Sequence, residues 1–208
     1  MIIAIWKKAL KNRKFAIELT ITVLVFLIIL FLLAYFLNLI ENRNGIVLHD
    51  PVLNLFQPID LTWQIFSVLY VCVFISIFYL LKQPQLMVLG IQAYISMIIF
   101  RICAMYLIPL DPPALMIPLV DPVVEIFGTG RTLTRDLFFS GHTATMFLLF
   151  LIVNNSRLKA ILFTGTIIVG LSVILQHVHY SIDVLCAPVF AYAAYAVTIR
   201  KKGIYEQK

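Results

Sequence analysis

Long apolar runs alternate along the chain with short polar segments, and six of the runs are predicted to be helices, near residues 16–40, 61–81, 86–108, 138–155, 159–177 and 181–199. Each holds about 18–25 residues with little or no charge at its middle, enough to cross about 30 Å of hydrocarbon at 1.5 Å per residue. The runs are continuous rather than alternating, which excludes a transmembrane β-barrel. Polar breakers separate them: Lys82-Gln83-Pro84 after the second, Asn154-Asn155-Ser156-Arg157 after the fourth, and a short His-rich turn after the fifth. A long loop with Pro109, Pro112, Pro113, Pro118 and Pro122 joins the third to the fourth; loops of that length commonly carry function or disorder. The expected fold is therefore all-α, a polytopic bundle of six transmembrane helices. It forms one domain over residues 1–208, with no internal repeat.

Basic residues sharpen this into a topology. Six spans put both termini on one side. That side then holds Lys7, Lys8, Lys11, Arg13, Lys14, Lys82, Arg157, Lys159, Arg200, Lys201, Lys202 and Lys208, against Arg43, Arg131 and Arg135 opposite. Cytoplasmic loops are enriched in Lys and Arg, so the termini are expected in the cytoplasm. The basic stretch Lys7–Lys14 followed by about 25 apolar residues is too long for a signal-peptide core and lacks a small-x-small cleavage site. Ile2, Ile3, Ile5, Trp6 and Leu10 either lie along the membrane surface as an amphipathic turn or two or simply flank the first span. A short chain without an appended domain fits a bacterial inner membrane.

Composition agrees. Of 208 residues, 62% are hydrophobic and 12% charged, and the mean hydropathy is +1.00. A soluble domain carries roughly 25% charge and 45–50% apolar residues. The net charge of +6 sits in clusters flanking the apolar runs and forms no basic face for nucleic acid. Cys72, Cys103 and Cys186 lie in apolar stretches with no CxxC spacing, so neither a disulfide framework nor a zinc motif is expected.

The polar residues inside these limits gather at one end of the predicted bundle. His142 begins the fourth helix, His177 and His179 end the fifth, and Asp183 begins the sixth. Arg101 stands about 10 Å deep from the end of the third, counted at 1.5 Å per residue. Ionisable groups at such depth usually have a function or a partner. His179 and Asp183 are four apart, one helical face, so the carboxylate can fix one imidazole nitrogen and leave the other as nucleophile or base. The structural alternative is a histidine simply tied to a neighbouring carboxylate. Ser140-Gly141-His142-Thr143 marks a loop-to-helix junction. There Gly141 permits close approach to the backbone and the first helical turn suits a phosphate, or Ser140 merely caps the helix.

These residues resemble a known family. Arg135-Asp136-Leu137-Phe138-Phe139-Ser140-Gly141-His142-Thr143-Ala144 resembles the third motif of the sphingomyelin synthases, within the type 2 phosphatidic acid phosphatase superfamily. His179-Tyr180-Ser181-Ile182-Asp183-Val184 resembles their fourth, and Phe100-Arg101-Ile102-Cys103-Ala104-Met105-Tyr106 looks like their second. Gln57-Pro58-Ile59-Asp60 echoes the first weakly, and the resemblance covers about residues 55–190. Thr134-Arg135 replaces the family's Cys-Gly, and the appended N-terminal module of those synthases has no counterpart here. The phosphatases' Lys-x6-Arg-Pro motif has none either, and Ser172-Val173 stands where Ser-Arg is expected. These departures lean toward the transferase branch.

The resemblance implies that His179, oriented by Asp183, attacks the phosphorus of a phospholipid or lipid phosphate, while His142 protonates the departing alcohol. Arg101, Arg131 and Arg135, with Ser140 and Gly141, would bind the phosphate. A lipid alcohol, or water in a hydrolase, would accept the group, and no metal or cofactor is required. His177 aligns with no motif position, and His49 reads as a loop residue. Tyr180 reads as an interface anchor, and Asp136 as a partner of Arg135 or His142 or a favourable charge at a helix start. Two other classes remain open: a zinc site drawn from His142, His177, His179 and Asp183, and a non-enzymatic carrier or subunit.

Overall fold

The computed structural model describes residues 2–120 and 133–206, with side chains to residue 200. Among the described residues it is an all-α bundle: α1 Ile2–Leu10, α2 Arg13–Glu41, α3 Thr62–Leu80, α4 Pro84–Leu107, α5 Gly141–Ile152, α6 Ser156–Leu175 and α7 Ser181–Glu206. α1 is a separate helix. Asn12 ends it and caps α2, its side chain accepting from Lys14 N at 3.0 Å and Phe15 N at 3.4 Å. None of its residues is buried, but the Trp6 indole donates to the Leu81 carbonyl at 2.8 Å. That bond holds α1 against the α3–α4 turn.

Five helices, α2, α3, α4, α6 and α7, are long and apolar enough to cross a membrane. The fourth predicted span differs. Its helix, α5, holds 12 residues, about 18 Å at 1.5 Å per residue and short of the hydrocarbon thickness. The apolar residues in front of it, Leu137, Phe138 and Phe139, are buried in a non-helical approach that ends at Ser140. Irregular backbone at membrane depth survives only where protein covers it. Hydrophobicity that would otherwise face lipid is spent here on packing, as in the stacked Phe139 and Phe190 rings at 4.4 Å.

The remaining helices pack by their small and polar faces. α7 turns Ala187, Ala191 and Ala194, all fully buried, toward α4 and α5. Small residues let helices close together where lipid supplies no hydrophobic drive. α2 lies along α4 and is joined to it by the Gln92 amide, which donates to Glu18 Oε1 at 3.1 Å and Thr22 Oγ1 at 3.0 Å. Most of the other α2 side chains stay exposed, as expected of a lipid-facing helix.

A strap over residues 42–61 crosses one end of the bundle. It pairs with the loop after α4 through Ile46 N to Pro109 O, 3.0 Å, and Asp111 N to Ile46 O, 3.1 Å. A Cβ on Gly45 would fall 2.6 Å from Asp111 N, so only glycine permits this crossing. Farther on, Ile59 N donates to Leu175 O at 2.9 Å and Leu61 N to Gln176 Oε1 at 2.9 Å.

Glu41, at the end of α2, holds the approach to α5. Its carboxylate accepts from Thr134 N, Thr134 Oγ1 and Arg135 N at 2.6–3.2 Å. Glu41→Ala strands these donors, which is expected to cost about 1–3 kcal/mol. Thermal unfolding of the detergent-solubilised protein should show the lowered midpoint.

Candidate active site

The turn between α6 and α7 delivers the first histidine pair. α6 ends in a Schellman motif, with His177 N bonded to Ile174 O at 2.9 Å and Val178 N to Val173 O at 2.9 Å. His177 takes the left-handed position at φ 55°, where glycine is usual. Its ring lies edge-on to Phe56 at 5.3 Å, and its Nε2 has no hydrogen-bond partner among the described residues. Burial pushes the imidazolium below its ordinary pKa, with Asp50 and the Phe56 backbone pulling the other way. His177 thus shapes the turn and lies off the cavity described below. The reversal sends His179 inward to 2% exposure. There its Nδ1 lies 3.3 Å from Asp183 Oδ2, which also accepts Tyr180 N at 3.0 Å.

Tyr180 proves to be a buried strut rather than an interface anchor. It is 1% exposed. Its hydroxyl donates to Asp111 O at 2.9 Å and accepts from Leu48 N at 3.2 Å. A phenol with both hydrogen-bonding roles satisfied inside protein gains nothing from the head-group layer.

α5 presents the second histidine. Ser140 makes no side-chain cap to the helix; its hydroxyl lies 3.1 Å from Thr143 Oγ1. Its backbone N–H donates to Asp183 O at 3.2 Å, so the two motifs are stitched directly together. Against this turn lies Arg101, buried on α4, with Nη2 2.5 Å from Asp136 Oδ1. Asp136 therefore partners Arg101, a pairing not among the alternatives the sequence offered, which were Arg135, His142 or a helix start. A Cβ on Gly141 would come within 2.6 Å of Arg101 Cζ, so this glycine makes room for the guanidinium.

A cavity of about 600 Å³ joins these parts. At its polar end Arg101, Asp136, Gly141, His142 and His179 share the wall; at its far end stand Leu80, Met87 and Ile152. The distance along α4 from Met87 to Arg101 is about 21 Å at 1.5 Å per residue. α2 and α3 face each other across this space with apolar side chains such as Phe26, Leu33, Leu69 and Val73.

Residues 135–200 match the family model described as PAP2 superfamily C-terminal. Compared with curated proteins, the chain has no significant match. The PAP2 segment holds His142, His179, Asp183 and Asp136, while Arg101 reaches the same cavity from outside it.

The other predicted phosphate ligands fall elsewhere. Arg135 donates to Asp111 Oδ1 at 2.7 Å and to the Glu41 carbonyl at 2.5 Å, outside the wall of the large cavity. Arg131 lies outside the described residues. Among the described residues no three His, Cys, Asp or Glu side chains gather around a possible metal position, and His177 does not face the cavity that His142 and His179 share. Sequence reasoning passed over Glu41, Asp50 and Asp111, acidic loop residues with no motif to mark them.

Proposed function

We propose that the chain is a lipid phosphotransferase that moves a phospho-head group between lipid alcohols through a phosphohistidine, by way of the sphingomyelin synthase-like motifs. One observation carries the reading: two histidines and an arginine share the polar end of a long apolar cavity. A phospholipid has the same two-part form. Its phosphate would lie near Arg101 and the first turn of α5, where the helix dipole favours an anion, and a hydrocarbon chain would fill the apolar limb.

Asp183 accepts the Nδ1 proton of His179 and leaves Nε2 with its lone pair. Nε2 attacks phosphorus, the P–O bond to the departing alcohol breaks, and His142 supplies the proton that alcohol needs. A second lipid alcohol, deprotonated by His142, then attacks the phosphorus, and the P–N bond breaks to restore His179. Arg101 offsets the charge on the phosphate oxygens. In a PAP2-type hydrolase the same steps run with water as the second nucleophile. The Lys and Arg asymmetry supports six membrane crossings, with the termini in the cytoplasm and this site at the extracytoplasmic face.

Purified protein incubated with labelled phospholipid, with and without a lipid alcohol, tests the proposal. Acceptor-dependent product supports the transferase. Release of phosphate or phospho-head group alone assigns the hydrolase, and no turnover in either arm rejects both.

The apolar limb makes its own prediction. A Cβ at Gly90 would sit 3.5 Å from Ile152 Cδ1, so Gly90→Leu fills the deep end. Turnover of long-chain substrate should fall roughly tenfold, the cost of about 1.4 kcal/mol of lost apolar contact. Short-chain analogues should react at the wild-type rate; equal loss on both would show that the limb holds no chain.

A further inference from the structure

The first turn of α7 is capped in an unusual way. Tyr180 stands at the N-cap, where Ser, Thr, Asp or Asn would ordinarily accept the orphan N–H groups, and its hydroxyl is engaged elsewhere. Asp183, at the third helical position, reaches back to Tyr180 N at 3.0 Å, which is half of a capping box. The same Oδ2 atom holds His179 Nδ1 at 3.3 Å. Asp183 thus serves two demands, helix capping and histidine orientation, with one oxygen.

Asp50, in the strap and 131 residues earlier in the chain, takes the next donor. Its Oδ2 accepts Ser181 N at 2.6 Å, and its Oδ1 accepts Val52 N at 2.9 Å and Leu53 N at 3.4 Å. Asp50 is 8% exposed. Burial opposes its ionisation, but the hydrogen bonds from Ser181, Val52 and Leu53 outweigh it and hold the carboxyl below its ordinary pKa. It is therefore ionised at neutral pH and favourably placed against the positive end of α7.

We propose that Asp50 is a positioning residue for the His179–Asp183 pair: by satisfying the start of α7 it leaves Asp183 free to orient His179. Remove Asp50, and Asp183 is the one side-chain carboxylate at that turn. The unsatisfied Ser181 N–H then draws it along the helix start, away from an imidazole contact that is already long at 3.3 Å. The role of His179 rests on the function proposed above; the coupling of Asp50 to the His179 titration does not.

The experiment compares wild type, Asp50→Ala and Asp50→Asn in detergent micelles. ¹⁵N NMR reads the His179 imidazole, assigned by its loss in His179→Ala, and turnover is measured in parallel. The other titratable groups nearby are His177 at the same turn, Asp111 in the loop that receives the Tyr180 hydroxyl, and His142 across the cavity. All are unchanged in the variants, and His177 senses the Asp50 charge directly, so a His179 shift larger than that of His177 reports on Asp183. In Asp50→Ala the His179 imidazole is expected to lose its proton at lower pH than in wild type, as when a carboxylate moves off an imidazole. Asp50→Asn keeps an acceptor and should fall between Asp50→Ala and wild type. With lipid turnover present, kcat should drop roughly 10–100-fold with KM unchanged, and the acidic limb of the pH profile should move down with the His179 pKa. An unchanged His179 titration in both variants overturns the proposal, whether or not lipid is turned over. If Asp50→Ala does not fold, Asp50→Asn decides alone: an intermediate shift supports the role and a wild-type titration rejects it. A wild type inert on every phospholipid, yet showing the shift, would reject the proposed function and keep the positioning role.

Discussion

Replacing His179 with alanine is expected to lower turnover by at least about 10⁴-fold, because it removes the proposed nucleophile. The helical content and detergent elution of His179→Ala should match wild type: among the described residues the side chain bonds to Asp183, and no helix cap depends on it. A matched measurement separates chemistry from binding. Wild-type protein quenched in acid-free conditions during turnover of ³²P-labelled substrate should carry alkali-stable label, and His179→Ala should carry none. His142→Ala should still take up label from substrates whose leaving group needs no proton, because His142 acts on the departing oxygen and not on phosphorus. Turnover by His179→Ala within a few-fold of wild type would end the nucleophile assignment.

The second large effect belongs to the smallest residue in the site. Gly141→Ala places a methyl group against the Arg101 guanidinium, within 2.6 Å of Cζ. That guanidinium cannot swing away cheaply, for it is buried and paired with Asp136 at 2.5 Å. We expect a loss of roughly 10²-fold in kcat, the scale set by misplacing a charge-stabilising group by about 1 Å. Arg101→Ala should cost at least as much. The double variant Arg101→Ala/Gly141→Ala should be no worse than Arg101→Ala alone, since the methyl group then meets empty space. Groups that act through one contact are not additive. Fully additive losses would show that Gly141 acts on something other than Arg101.

Asp136 sets the electrostatic condition for both results. It pairs with Arg101 at 2.5 Å, so in the proposed reaction a phosphate would compete with a carboxylate for the same guanidinium. That pairing keeps a charged arginine tolerable beside an apolar cavity.

The chain's membrane character was legible without coordinates. Continuous apolar runs have one solvent in which they are stable, and helical spacing alone brings His179 and Asp183 to one face. Even the end of the bundle at which the polar groups meet follows from counting helices. The span count was less secure, because hydropathy cannot tell an apolar residue facing lipid from one packed on protein. Phe138 and Phe139 read as the start of a span and instead lie, with Leu137, in a buried non-helical approach to α5.

What the tertiary structure alone decided was which polar group meets which. Arg135 lies one residue from Asp136 in sequence, yet Asp136 pairs with Arg101, 35 residues away, and Arg135 turns to Asp111 and Glu41. Asp50 reaches Ser181 across 131 residues. A carboxylate binds whichever donor the packed backbone sets within 3 Å, and that distance depends on loop paths that carry no period and little hydrophobic pattern. Periodicity assigns residues to faces and ends; partner choice inside a buried polar cluster is made by the fold as a whole.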